Sequence, residues 1–391
     1  MGNIGAEAIL LAILHLYQER WGPDTRFILA AWQPYRMRHL VEGLPGHFEI
    51  LKQPVPFDRP SLLRQADDFV VGGDVALTET VIPILPSYWA FKALWAKAHG
   101  SRVVFMGIEV EPLRRTFNRW AVRHVLDRVT GRYLVRNEEA GNHLRAMTTR
   151  PDLVLVGCEP ALTLKERHLA PFPAPTLPAG PSERLVAFGL RDFFTEPLRL
   201  DIRRMKLVRR DARPGELSPR MKQTVALLAH IADRLVERHN ARLVMIPHHA
   251  MEGQSKVILS DREVAEKVQA AMRHPDRWTN LPDYLHPFSA MNVYRQMDLV
   301  VSMRHHANSF AYRFGIPTIG LGVSEKIKGH FRQVGQEDLL LNPQEPDPAV
   351  VDRLVDHAVL RREALSEQLQ TRWKQSVADM TKALDAVFPG A

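Results

Sequence analysis

The chain has 391 residues, 52 of them Lys or Arg and 44 Asp or Glu, giving a formal charge of +8 with histidine neutral. Hydrophobic residues make up 45% and charged residues 25%, which excludes a disordered chain and suits a globular one. The length fits two domains, each able to bury a core. The one cysteine, Cys158, cannot close an internal disulfide, so a reducing, cytoplasmic setting is expected and Cys158 itself reads as a small buried hydrophobe. No apolar run approaches the ~20 residues of a membrane-spanning helix, and the N-terminus lacks the features of a signal peptide. Basic residues are dispersed (Arg203-Arg204, Arg209-Arg210, Arg361-Arg362), without zinc-finger, basic-zipper or aromatic RNA-binding patterns, so nucleic acid is not an expected partner. The positive excess is either diffuse solvated surface or a face attracted to anionic substrates and lipid headgroups.

Helical and strand-like stretches alternate along the first half. Residues 6–20 have the apolar spacing of an amphipathic helix, and 26–31 and 69–71 read as short buried strands, the latter closed by Gly72-Gly73. A helix over 88–98, a strand over 102–107, a helix over 116–129, a strand over 133–136, a helix from Glu138 and a strand over 153–156 follow. Trp89, Trp95 and Trp120 lie at helical spacings and are read as core. The stretch 171–182 (PFPAPTLPAGPS) carries five prolines and reads as a connector. Beyond it come a strand over 185–189, a helix over 221–239, a strand over 241–247, a helix over 261–272, a strand over 299–303, a helix over 307–314 and a strand over 317–321. Residues 350–387 read as a helical tail. This pattern predicts two α/β, Rossmann-like, doubly wound domains, 1–170 and 183–349, joined by the linker 171–182 and followed by a helical segment 350–391. A ligand is expected at strand C-terminal ends, in a cleft between the halves. His248-His249 follows the strand ending at Pro247 and reads as a turn pair, with lining of the cleft as the other reading, and no H-E-x-x-H or Cys/His cluster offers a metal site.

The strongest local signal is Leu299–Gly322, LVVSMRHHANSFAYRFGIPTIGLG, a strand, a polar turn, a helix, a Gly-Pro break and a second strand. Arg304, His305 and His306 fall where the strand yields to the helix. An arginine fork there suits phosphate or carboxylate, and a histidine is a natural proton carrier near neutral pH. The same residues equally suit a structural ion pair and a helix cap. M-R-H-H-A followed by F-G-I-P resembles the M-R-x-H-A…G-x-P signature of the polysaccharide pyruvyl transferase family. Other pieces resemble that family's motifs in the same order: Gly2-Asn3-Ile4-Gly5 with Glu7-Ala8, Val70-Val71-Gly72-Gly73, Gly107 with Pro112, Val135-Arg136-Asn137-Glu138-Glu139, and Ser324-Glu325-Lys326-Ile327-Lys328.

The resemblance implies a glycosyltransferase-B-like (GT-B-like) architecture and transfer of the enolpyruvyl group of phosphoenolpyruvate, with no metal or other cofactor, onto a sugar of a cell-surface polysaccharide or glycan precursor. The acceptor sugar is either free of lipid or lipid-linked. For a lipid-linked acceptor, the basic excess is expected to aid approach to an anionic membrane at its inner face. On the family's pattern, Arg136, Arg304 and Lys326 bind the donor and His306 is the catalytic acid/base, while His305 fills a variable, supporting slot. The first loop departs from the pattern, with Ala6 where the family has Asp. Asn3, Asp74, Glu109 and Glu111 are therefore the acceptor-side candidates. Where the family shows a strand before the first loop, Met1 stands directly on it, so the chain is expected either to start late or to lack that strand. Two alternatives follow from the altered loops: a GT-B-like transferase with another donor such as a nucleotide sugar, or a non-catalytic relative.

Overall fold

Apolar runs such as Arg102–Ile108 (RVVFMGI), buried along six of seven residues, can only be accommodated in a sheet covered on both faces. In the computed structural model, which describes residues 2–31, 33–52, 64–73, 76–79, 83–193, 199–201, 206–208, 217–249 and 260–388, such runs form parallel strands. The chain divides into two units, the first comprising Ala6–Glu166 and Lys374–Ala391, the second Gly2–Gly5 and Arg167–Trp373. Asp74, Arg203, Arg204, Arg209 and Arg210 lie outside the described residues.

The first unit holds most of helix α1 (Ile4–Trp21), a parallel pair β1 (Arg26–Ala31) and β2 (His47–Lys52), and helix α2 (Pro34–Val41) between them. A four-stranded parallel sheet runs β3 (Asp68–Gly72), β4 (Arg102–Ile108), β5 (Thr130–Val135) and β6 (Val154–Val156) in sequential order. Helices α3 (Leu85–Ala98), α4 (Thr116–Ala121) and α5 (Glu138–Met147) cross between these strands, and α4 continues through a π-helical turn over Val122–Leu126. The core gathers Val71, Ala90, Phe105, Ile108, Val122 and Tyr133 among others. Cys158 is buried here, which pushes its thiol pKa up and leaves it an inert hydrophobe.

In the second unit, six parallel strands are arranged β11-β10-β7-β12-β13-β14: β7 (Arg184–Gly189), β10 (Ala241–Met245), β11 (Trp278–Asn280), β12 (Leu299–Ser302), β13 (Thr318–Leu321) and β14 (Leu340–Leu341). Counted within the unit this is the order 3-2-1-4-5-6 of a Rossmann sheet, whose strand direction of winding reverses between β7 and β12. A short antiparallel pair, β8 (Arg199–Asp201) and β9 (Lys206–Val208), stands apart. Helix α6 (Pro219–His239) shows why these segments start and stop where they do. Ser218 caps its first turn by accepting from the Met221 N–H at 3.1 Å, and Asn240 ends it in the left-handed conformation at φ 50°. Helices α7 (Asp261–Ala271), α8 (Pro287–Tyr294), α9 (His305–Arg313), α10 (Glu325–Val334) and α11 (Pro348–Leu360) complete the unit, and α12 (Arg362–Val387) runs from it into the first.

Several expectations need correction. The tail read as one helical segment breaks at Arg361 into α11 and α12. The strands β2 and β11 escaped notice because HFEILK shows no buried residue and β11 is three residues long. Trp120 is exposed and Trp95 half-buried, rather than core, whereas Trp89, half-buried, does pack against the core. The helix around Trp120 buries Asn118, Ala121, Val122 and Val125, one face at three-to-four spacing, and this turns position 120 outward. Among the described residues, no helix is long and apolar enough to cross a membrane.

Candidate functional site

In the second unit, parallel strands bring the loops after β7, β10, β12 and β13 to one edge of the sheet. At the point of reversal, β12 pairs with β7 through Ser302 and Gly189, and the chain turns at once into α9. A side chain at Gly189 would collide with its neighbours, since an added Cβ would lie 2.8 Å from both Ala307 Cβ and Ser302 Oγ. Ser302 Oγ accepts from the Arg304 N–H at 2.8 Å, which fixes the turn that presents Arg304 and His306.

Arg304 is the N-cap residue of α9, and its half-buried guanidinium is held on two sides. Its Nε–H donates to the Leu190 carbonyl at 2.9 Å, and Nη2 pairs with Asp261 Oδ1, itself buried. The other oxygen of Asp261 accepts from the backbone N–H groups of His248 at 2.9 Å and His249 at 3.1 Å. One carboxylate thus ties the loop after β10 to the turn after β12. Among the described residues these two bonds use two of the five N–H groups of Arg304, a planar fork whose geometry suits an anion.

The histidines read as a turn pair belong to this group. His248 is fully buried and hydrogen-bonded through Nε2 to Tyr294 Oη at 2.7 Å. Burial first, then the charges of Arg304 and His306, push its pKa well below the usual 6.5. His249 is lowered as well, by burial and Arg304, against the opposing pull of Asp261. Both rings therefore hold a proton less readily in the folded state than in the unfolded chain, which protonates them from about pH 6.5 downward, and the difference is largest for His248. The sign follows: stability is full above that value and is lost as pH falls below it. His248 alone contributes up to about 1.4 kcal/mol per pH unit. The melting temperature is expected to fall between about pH 6.5 and 5, and His248→Gln should flatten that fall. A melting temperature independent of pH across that window would show that these rings protonate inside the fold.

The N-terminal glycine motif joins the same group. Asn3 forms an antiparallel bridge with His249, and the Ile4 N–H donates to the His248 carbonyl at 3.0 Å. Asn3 Oδ1 accepts from the Gly5 N–H at 3.1 Å, opening α1. Gly5 lies directly on the His306 ring: a Cβ there would stand 2.0 Å from Cγ and 2.1 Å from Nδ1. His306 is buried, and His305 packs edge-on between it and His330, with ring centroids 5.5 Å and 5.3 Å away. Asn3, an acceptor-side candidate by sequence, therefore stands with His306 in the second unit. Lys326, half-buried, sits in the first turn of α10, whose start is capped by Ser324 beyond β13, the strand next to β12.

The first unit carries its own charged group. Glu109 follows β4 and Arg136 follows β5, adjacent parallel strands in which Ile108 is level with Val135. The two side chains form a buried ion pair through Arg136 Nη2 and Glu109 Oε2. Gly107 bends the chain here at φ +64°, and a Cβ on it would lie 2.3 Å from Pro160 Cγ, so only glycine fits. Asn137 then caps α5 by accepting from the Ala140 N–H at 2.7 Å, with Glu138 and Glu139 in its first turn. The V-R-N-E-E run is thus strand end, buried cation, cap and helix start. Glu111 is half-buried, and its N–H donates to the Leu77 carbonyl at 3.2 Å. Asp74 lies outside the described residues.

Sequence reasoning missed Asp261. The available signal was Ser260-Asp261-Arg262-Glu263, a capping box that is fully formed, with the Ser260 N–H donating to Glu263 at 2.6 Å. It marks a helix start but not the partner of its second residue. Among the described residues, no group of three His, Cys, Asp or Glu side chains is placed to hold a metal ion.

A family model described as polysaccharide pyruvyl transferase matches residues 3–325. No curated protein matches the sequence. Among solved structures, UDP-N-acetylglucosamine 2-epimerase from Neisseria meningitidis, bound to UDP-N-acetylglucosamine, is similar at TM-score 0.58 and 11% identity, covering 97% of each chain. HepE from Anabaena in complex with UDP is similar at TM-score 0.57 and 12% identity, covering 99% of this chain and 97% of that one. Identity this low shows a shared fold, the GT-B-like class of two Rossmann-like units.

Proposed function

The chain belongs to the polysaccharide pyruvyl transferase family and is a transferase, and from that premise we propose that it moves the enolpyruvyl group of phosphoenolpyruvate onto a sugar of a cell-surface polysaccharide or its precursor, free or lipid-linked. The observation that supports this most is the meeting of two motifs from opposite ends of the matched region. Gly5 of the first packs on His306 of the last, beside Arg304 at the reversal point of a Rossmann sheet.

The chemistry sets the roles. Carbon 2 of the donor forms two C–O bonds to neighbouring sugar hydroxyls, its bond to the phosphate oxygen breaks, and the methylene carbon becomes a methyl group. Of the two hydroxyl protons, one ends on that methyl and the other leaves with inorganic phosphate. His306 shuttles these protons as general acid and base. Arg304, with Lys326 from the next strand end, neutralises the donor's carboxylate and phosphate and the charge that develops in the transition state, and Arg136 is the third cation proposed for the donor. Glu109, paired with Arg136, and Asn3, Asp74 and Glu111 are the groups proposed for the acceptor. The reading needs no metal and places the enzyme on the cytoplasmic side.

A second reading, a nucleotide-sugar donor, is favoured by the UDP-N-acetylglucosamine and UDP bound to two fold neighbours. Incubation with phosphoenolpyruvate and lipid- or nucleotide-linked sugars separates the two. Acceptor-dependent phosphate release with a ketal on the sugar is expected. Release of UDP from a UDP-sugar without phosphate release would establish the second reading, and turnover of neither donor would make the chain a non-catalytic relative.

A further inference from the structure

We propose that the face of the first unit formed by α3 and α4 is a docking surface for an anionic lipid bilayer. Its centre is apolar and exposed: Ile84 63%, Phe91 42%, Leu94 44%, Phe117 54% and Trp120 47%. Phe91, Phe117 and Trp120 form a connected row. Phe91 and Leu94 lie at helical spacing on α3, and Ile84 is its N-cap residue. Phe91 meets Phe117 with ring centroids 6.3 Å apart, Phe117 stacks on Trp120 at 6.1 Å, and Trp120 meets His124 at 5.8 Å. An isolated exposed aromatic needs no explanation, but a connected row of them across two helices does.

The charge around the row selects the occupant. Between Pro112 and Leu126 the chain has four arginines and no carboxylate, and Pro83–Ser101 has two lysines and none. Arg114, Arg115, Arg119 and Arg123 are exposed. Two acids flank the stretch, half-buried Glu111 and half-buried Glu79, and Glu79 is engaged in capping α4, accepting from the N–H groups of Arg114 and Arg115 at 3.0 Å each and from Asn118 Nδ2 at 2.6 Å. Asp127 is buried and held by Thr148 and Thr149. The face is thus aromatic and aliphatic at its centre and cationic at its rim. This is the composition of interfacial helices, in which Trp and Phe enter the headgroup boundary and Arg reaches the lipid phosphates. A second copy of the chain fits worse, because a two-fold contact through this face sets the arginine rim against itself. Binding through this face does not depend on the identity of the donor.

The test is co-sedimentation of the full chain with phosphatidylglycerol-containing vesicles and, separately, with purely phosphatidylcholine vesicles. The expected result is binding to the anionic vesicles that weakens as salt rises, with little to the neutral ones. Arg119→Gln with Arg123→Gln should weaken it about thirtyfold, taking about 1 kcal/mol per cation. Arg353→Gln with Arg361→Gln, which removes the same charge from exposed positions of the second unit, should leave it unchanged. Phe117→Ser with Trp120→Ser, at exposed positions that do not hold the core, should weaken binding about tenfold or more. No sedimentation of the wild type, equal loss in the Arg353/Arg361 pair, or a concentration-dependent dimer abolished by the Phe117/Trp120 pair would each overturn the proposal.

Discussion

His306→Ala is expected to lower turnover with phosphoenolpyruvate by about 10²–10⁴-fold, the range for loss of a positioned general acid or base, with phosphoenolpyruvate binding nearly unchanged. The split between kcat and affinity is the informative part. His306 is a buried ring at the first turn of α9, whereas the groups proposed to hold the donor's charge are Arg304, Lys326 and Arg136. Removing the ring should therefore cost proton transfer and leave ground-state binding in place. Gly5 offers an independent check on the geometry. A Cβ there would stand 2.0 Å from the His306 ring, so Gly5→Ala must displace the imidazole or the start of α1. Overpacking of this kind costs about 1–3 kcal/mol of stability and should lower kcat in the same direction as His306→Ala. A His306→Ala enzyme that turns over like the wild type would remove His306 from the chemistry.

Arg304→Ala is expected to destabilise the fold by about 3–5 kcal/mol, besides weakening donor binding, because it leaves the buried Asp261 carboxylate without its cation. The two backbone N–H groups that Asp261 accepts from His248 and His249 soften this cost. Adding Asp261→Asn to Arg304→Ala should restore part of the lost stability, since an amide needs no counter-charge, but should not restore catalysis. Urea unfolding of the two single variants and the double variant measures the coupling. A loss under about 1 kcal/mol in Arg304→Ala would mean the pair is solvated and not structural.

The alternation of buried strands and amphipathic helices was legible because parallel strands must be apolar on both faces, which runs such as RVVFMG and LVVSM advertise. The position of Arg304 and His306 at a strand-to-helix turn was legible for the same reason. What the turn faces was not. The order β11-β10-β7-β12-β13-β14 is a property of pairing between distant strands, and it alone makes the turn after β12 a reversal point. The contact of Gly5 with His306 and the pairing of Arg304 with Asp261 join residues with no periodic relation, so no local pattern carries them. Trp120 failed for a different reason. Helical spacing tells which residues share a face, not which face is buried, and here the neighbouring Ala121, Val122 and Val125 took the core. Glu109 illustrates the remaining gap. Its place in the loop after β4 was evident, but its pairing with Arg136 required knowing that β4 and β5 are adjacent.

Calorimetric titration of the protein with phosphoenolpyruvate, and in parallel with UDP-N-acetylglucosamine, tests the identity of the donor most directly. The predicted result is saturable phosphoenolpyruvate binding that Arg304→Lys weakens, the ammonium lacking the two-pronged fork, with no heat from the UDP-sugar. Saturable binding of the UDP-sugar with none of phosphoenolpyruvate would contradict it.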